Sequence, residues 1–190
     1  MNATTRFPCH DDASAPREAG PAFEASTAKF GMVPNLIRAM CTSPQLAEGY
    51  LALSTLFEQT SLSVAERHVV LLTVSARHEC HYCMAAHSIT ADMNQVPGKI
   101  TEALREGRPL ADQRLEALRQ FTRAMVEQRG WVAPDRVNDF LNAGFTPQQA
   151  LEVVLGIGLK TLSNYTNHLA DTPLDEAFAG RAWQGSGQGR

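Results

Sequence analysis

Helix-start punctuation constrains this chain more than any other feature. Ser63-Val64-Ala65-Glu66 and Thr146-Pro147-Gln148-Gln149 each place a hydroxyl residue three positions ahead of a Glu or Gln. At that spacing the two side chains satisfy each other's free backbone amides at a helix N-terminus. Ser43-Pro44 and Pro134 put proline at a first helical position, where its missing N–H is no loss. Leu115, Leu118, Phe121, Thr122 and Met125 then recur at three- and four-residue steps, and Gly130 and Gly144 stand where helices should stop. Val96-Pro97 opens a short helix ending near Gly107, and a long apolar helix runs from Ala150 to about Leu169. Val69 to Val74 is β-branched enough for a buried strand. It follows a capping box directly, however, and no other segment alternates with period two to pair with it. The expectation is an all-α single domain of about seven to nine helices, with the Val69–Val74 helix central because it is apolar nearly all round.

The chain's 190 residues suffice for one domain with its own core. Residues 1–20 carry Asp11-Asp12-Ala13-Ser14-Ala15-Pro16 and no apolar period, and read as an N-terminal arm. Residues 21–180 read as the helical domain. Residues 181–190, ending in Gly185-Ser186-Gly187-Gln188-Gly189-Arg190, read as a disordered tail. A net charge of -3 offers nothing to nucleic acid or to anionic lipid. No apolar run approaches the roughly 20 residues that cross a bilayer, and Met1 to Pro8 lacks a hydrophobic signal core. A cytoplasmic location is expected.

Four cysteines, Cys9, Cys41, Cys80 and Cys83, are too few in a chain this long for a disulfide-stapled scaffold. The chemistry concentrates in His78-Glu79-Cys80-His81-Tyr82-Cys83-Met84-Ala85-Ala86-His87. If Cys80 begins a helix, Cys83 and His87 follow at i+3 and i+7, and all three share a face. Two thiols one turn apart can close a disulfide, the positive helix end favours thiolate, and His87 is one turn away to take a proton. Zinc is the rival occupant, because His78, Cys80, His81, Cys83 and His87 are all zinc-ligand types. Neighbours such as Cys80 and His81 diverge by about 100° on a helix, so at most three of the five converge. A c-type haem is excluded, since Met84 rather than His follows Cys83. A helical scaffold that only oligomerises is the third alternative.

The segment resembles the carboxymuconolactone decarboxylase family, specifically its AhpD-like alkylhydroperoxidase branch. That family's motif is Glu, eleven residues, then Cys-x-x-Cys-x-x-x-His. The preceding apolar helix also fits, as do Leu151-Glu152-Val153-Val154-Leu155-Gly156-Ile157 and Asn164-Tyr165-Thr166-Asn167-His168. The similarity covers about residues 25 to 178. It implies an AhpD-like helical bundle that forms homo-oligomers and needs no bound cofactor. It implies a thiol peroxidase or dithiol oxidoreductase cycle, with a hydroperoxide as substrate and an external dithiol or thioredoxin-like protein as reductant. Carried onto this chain, Cys83 is the nucleophile, Cys80 the resolving thiol and His87 the proton relay.

One position departs from the pattern. Where the family places its relay Glu, twelve residues before Cys80, stands His68, which can accept a proton but supplies no negative charge. His68 is therefore a candidate relay partner of His87. Glu66 lies about 200° round the helix from it. Glu79, beside Cys80 where relatives commonly have Gly, is a nearer carboxylate. His81, between the cysteines, is placed to tune the redox potential. Tyr82 is expected to pack, Asn164, Asn167 and His168 to meet a neighbouring subunit, and Lys160 to extend to solvent or an interface carboxylate.

Overall fold

The computed structural model describes residues 7–185, so residues 1–6 and 186–190 of the expected arm and tail lie outside the described part. Nine α-helices follow one another, with no strand among the described residues. They are α1 Gly20–Phe30, α2 Asn35–Met40, α3 Pro44–Glu58, α4 Val64–Arg77, α5 His81–Met93, α6 Gly98–Arg105, α7 Gln113–Glu127, α8 Pro134–Asn142 and α9 Pro147–Ala170. Short 3-10 turns at Arg17–Ala19 and Glu176–Arg181 bracket them. No helix is long and apolar enough to cross a membrane.

Both expected capping boxes form. Ser63 N–H donates to Glu66 Oε2 at 2.8 Å and Glu66 N–H to Ser63 Oγ at 3.3 Å. Thr146 N–H donates to Gln149 Oε1 at 3.0 Å and Gln149 N–H to Thr146 Oγ1 at 3.2 Å. Ser43 is the N-cap of α3, but its side chain accepts no capping bond. Pro44, locked near a helical φ, starts that helix instead.

Helix α4 is the hub. Val69, Val70, Leu72 and Val74 are all sealed from solvent, and α4 packs against α5, α6, α7 and α9. Gly156 of α9 lies against α3 and α4. A Cβ there would lie 2.7 Å from the Phe57 ring and 2.9 Å from Val70 Cγ1, so the absence of a side chain sets how near α9 comes to α3 and α4.

The corner between α4 and α5 positions the reactive segment. His78 N–H donates to Val74 O, Glu79 N–H to Ala76 O and Cys80 N–H to Ser75 O, all within 3.1 Å. The chain turns by placing Glu79 in the left-handed region at φ +53°, where glycine sits without strain. Cys80 is then the N-cap of α5.

Candidate active site

Cys80, at the head of α5, is 1% exposed, and Cys83, one turn into the helix, is 2% exposed. A single side chain ties the sulfurs together. Asn167 of α9 points Nδ2 at Cys83 Sγ, 3.2 Å away, and at Cys80 Sγ, 3.7 Å away. The two thiols are inequivalent. The hydrogen bond of Cys80 to Cys83, then burial, push the Cys80 thiol far up. Burial also opposes a Cys83 thiolate. The Cys80 hydrogen bond, the Lys160 ammonium and Ser163 outweigh it and hold Cys83 well below the usual thiol range.

Cys83 also faces a cavity of about 570 Å³, whereas Cys80 is not part of its wall. Phe30, Ile37, Phe57, Leu71, Leu159 and Phe178 supply apolar wall, and polar groups enter at His68, His87, Tyr50 and Asn94. This combination of apolar surface and a few convergent polar groups is what a small-molecule site needs. A larger open groove against α1 and α2 contains no cysteine or histidine.

His87 is half-buried one turn past Cys83, on the cavity wall. Burial, then the charges of Lys160 and His68, hold its pKa well below the ordinary imidazole value. His68 is 5% exposed, and burial followed by Arg67 lowers it to about 4. Its Nε2 lies 3.0 Å from Asn94 Nδ2, and its Nδ1 is buried without a partner. Both rings are therefore neutral near pH 7. His78 Nδ1 meets Asn164 Oδ1 at 3.0 Å.

The other candidates face elsewhere. Glu66 is committed to its capping box and to Arg114, 3.0 Å away. His81 is exposed and packs edge-on against Trp183 at 5.4 Å. Glu79 is exposed at the corner. Tyr82 is buried, donates to Asp175 and accepts from Leu36 N–H at 3.2 Å. Its ring meets Phe178 edge-on, so it pins the C-terminal 3-10 turn over α5. Among the described residues no group of three or more His, Cys, Asp or Glu side chains is arranged to hold a metal ion.

Two expectations are corrected. Lys160, expected to reach solvent or an interface carboxylate, is completely buried, and its charge is felt at Cys80, Cys83, His78 and His87. Asn164 and Asn167, assigned to a subunit contact, are engaged inside the chain, while His168 is exposed. Tyr50, on the cavity wall, carried no signal in the sequence. Burial, then Cys83, Glu58 and Cys80, push its phenol up and keep it a donor.

No protein-family model matches the sequence, and no curated protein matches it. Solved structures do. An uncharacterised peroxidase-related protein from Ralstonia eutropha JMP134, described as an alkylhydroperoxidase AhpD core, superposes with a TM-score of 0.80 at 19% identity, over 94% of this chain and 97% of that one. The chain has the AhpD-like fold. A peroxidase-related protein from Silicibacter sp. TM1040 shares this fold at TM-score 0.76 and 21% identity, over 92% of this chain and 93% of that one. So does a cysteine-to-alanine variant of the debrominase Bmp8 in complex with 2,3,4-tribromopyrrole, at TM-score 0.76 and 18% identity, over 90% of this chain and 92% of that one.

Proposed function

We propose that this AhpD-like chain is a dithiol–disulfide oxidoreductase that reduces organic hydroperoxides. One observation carries the reading: two buried sulfurs share the Asn167 amide, and only the lower-pKa one opens on an apolar cavity. In the cycle, the Cys83 thiolate attacks the terminal peroxide oxygen and the O–O bond breaks. The alcohol leaves after taking a proton, and Cys83 becomes a sulfenic acid. The Cys80 thiol then displaces water from it and forms the disulfide. An external dithiol returns both thiols and is itself oxidised. His87 and Tyr50, on the same wall, orient the peroxide through their N–H and O–H groups.

The test is peroxide consumption driven by a dithiol, with peptide mass spectrometry of residues 78–88. The expected result is turnover that vanishes in Cys83→Ser, and loss of two hydrogens between Cys80 and Cys83 after mild peroxide. Unchanged thiols after peroxide would sink the reading.

The apolar wall favours a second reading. The debrominase Bmp8, in complex with tribromopyrrole, shares this fold, and a reductive dehalogenation would use the same two-electron dithiol change. Halide release from a bromopyrrole without peroxide consumption would promote it.

A further inference from the structure

An attacking thiol must part with its proton, and the imidazoles of His68, His78 and His87 all hold protons poorly. The cation whose charge reaches Cys83 is Lys160, from behind the cavity wall. Its side chain is 0% exposed, its Nζ makes no hydrogen bond to oxygen or nitrogen and no carboxylate pairs with it among the described residues, and it acts on Cys83 through a side-chain hydrogen bond as well as through its charge. A buried ammonium left without a counter-charge is strongly unfavourable, and an acid that ionises beside it relieves that cost. The acids whose ionisation it alters are Cys83 and Cys80. Helix geometry agrees. Lys160 lies seven residues before Asn167, two turns along the same face of α9, and Asn167 Nδ2 is 3.2 Å from Cys83 Sγ. Ser163, between them on that face, also acts on Cys83.

We propose that Lys160 and Cys83 form a buried ammonium–thiolate pair in the reduced protein, so that Lys160 rather than an imidazole keeps the attacking sulfur's proton. This rests on Cys83 being the attacking thiol. Among the described residues the other acids nearby are otherwise engaged, Asp175 by the Tyr82 hydroxyl and Asn35 N–H. Cys80, from α5, stays a thiol and donates to Cys83. Tyr50, from α3, stays a phenol. His68 from α4, His78 at its end and His87 from α5 are all shifted toward neutrality. Glu58, at the end of α3, pairs with Lys29 at 2.9 Å.

The pair also closes the proton balance of peroxide reduction. Thiolate plus ammonium plus ROOH gives sulfenic acid, ROH and a neutral amine, because the ammonium protonates the departing alkoxide once its counter-charge is consumed. Condensation of the sulfenic acid with Cys80 releases water. When an external dithiol restores the two thiols, the Cys83 proton returns to the amine.

The experiment measures the iodoacetamide alkylation rate of Cys83 in the reduced full chain from pH 4 to 10, resolved by peptide mass spectrometry. It compares the unaltered chain, Lys160→Met and Lys160→Arg, with circular dichroism as the check on folding. The unaltered chain is expected to react as a thiolate at pH 6. Lys160→Met should move the profile up by about one unit or more, slowing the reaction about tenfold at pH values below both midpoints, and Lys160→Arg should restore most of it. An unaltered-chain profile centred near the ordinary thiol value, or one unmoved in Lys160→Met, overturns the pair. Should Lys160→Met not fold, Cys83→Asp and Cys83→Asn decide. A buried aspartate opposite an ammonium melts at or above the asparagine variant at pH 7, and one melting far below it refutes the pair. Peroxide turnover measured alongside separates the two ideas: a Lys160-dependent thiolate without turnover sinks the peroxidase and leaves the pair standing.

Discussion

At the scale of single residues, the site divides into what lies close in sequence and what the fold imports. Cys80, Cys83 and His87 were legible because their helical spacing is itself the geometry. Asn167 and Lys160 lie about eighty residues further on, and no local rule connects them to the cysteines. The importance of Asn167 can be measured. Its amide is the shared donor to both sulfurs, and a hydrogen bond to a charged group contributes about 1.5–3 kcal/mol. Asn167→Ala should therefore raise the Cys83 thiol pKa by about one to two units, read from alkylation rate against pH, with retained helicity. Glu79 offers the opposite sign. It holds φ +53° where glycine is unstrained, so Glu79→Gly should raise stability to urea by up to about 1 kcal/mol.

At the scale of helices, starts were readable and the orientation of one face was not. The capping boxes at Ser63 and Thr146 are local chemistry, and both formed as the sequence implied. Helix α9 inverts the usual rule that polar faces meet water. It buries Lys160, Ser163, Asn164 and Asn167, while Leu151 at 72%, Tyr165 at 58% and Leu169 at 64% exposure face out. That inversion is why the polar stripe was assigned to a contact outside the chain. The helix also depends on Gly156. Gly156→Ala would drive a methyl into Phe57 and Val70, and overpacking of this kind typically costs about 1–3 kcal/mol. The expected readout is a lower melting temperature. A Cys83 that also becomes slower to alkylate would show that α9 carries Asn167 and Lys160 away with it.

For the whole molecule, three imidazoles with lowered pKa define an acid limit. Unfolding exposes His68, His78 and His87 to water, where each binds a proton near pH 6.5, while His68 in the folded chain waits until about 4. The unfolded state thus binds more protons across that interval. The part of the stability that these imidazoles supply is undiminished above about pH 7 and falls as pH drops from 6.5 toward 4, by up to about 1.4 kcal/mol per pH unit for His68 alone. Urea midpoints at pH 7, 6 and 5 should show this decline, and His68→Gln should flatten part of it.

The cavity meets Cys83 and leaves Cys80 walled off behind it. In the proposed cycle, oxidant and reductant then use one doorway in turn, and neither can enter while the other occupies it. Steady-state rates at several fixed reductant concentrations should give parallel double-reciprocal lines, the signature of a ping-pong cycle. A slim dithiol should outperform a bulky protein donor, because the reducing sulfur has to travel inward to the Cys83 side of the bridge.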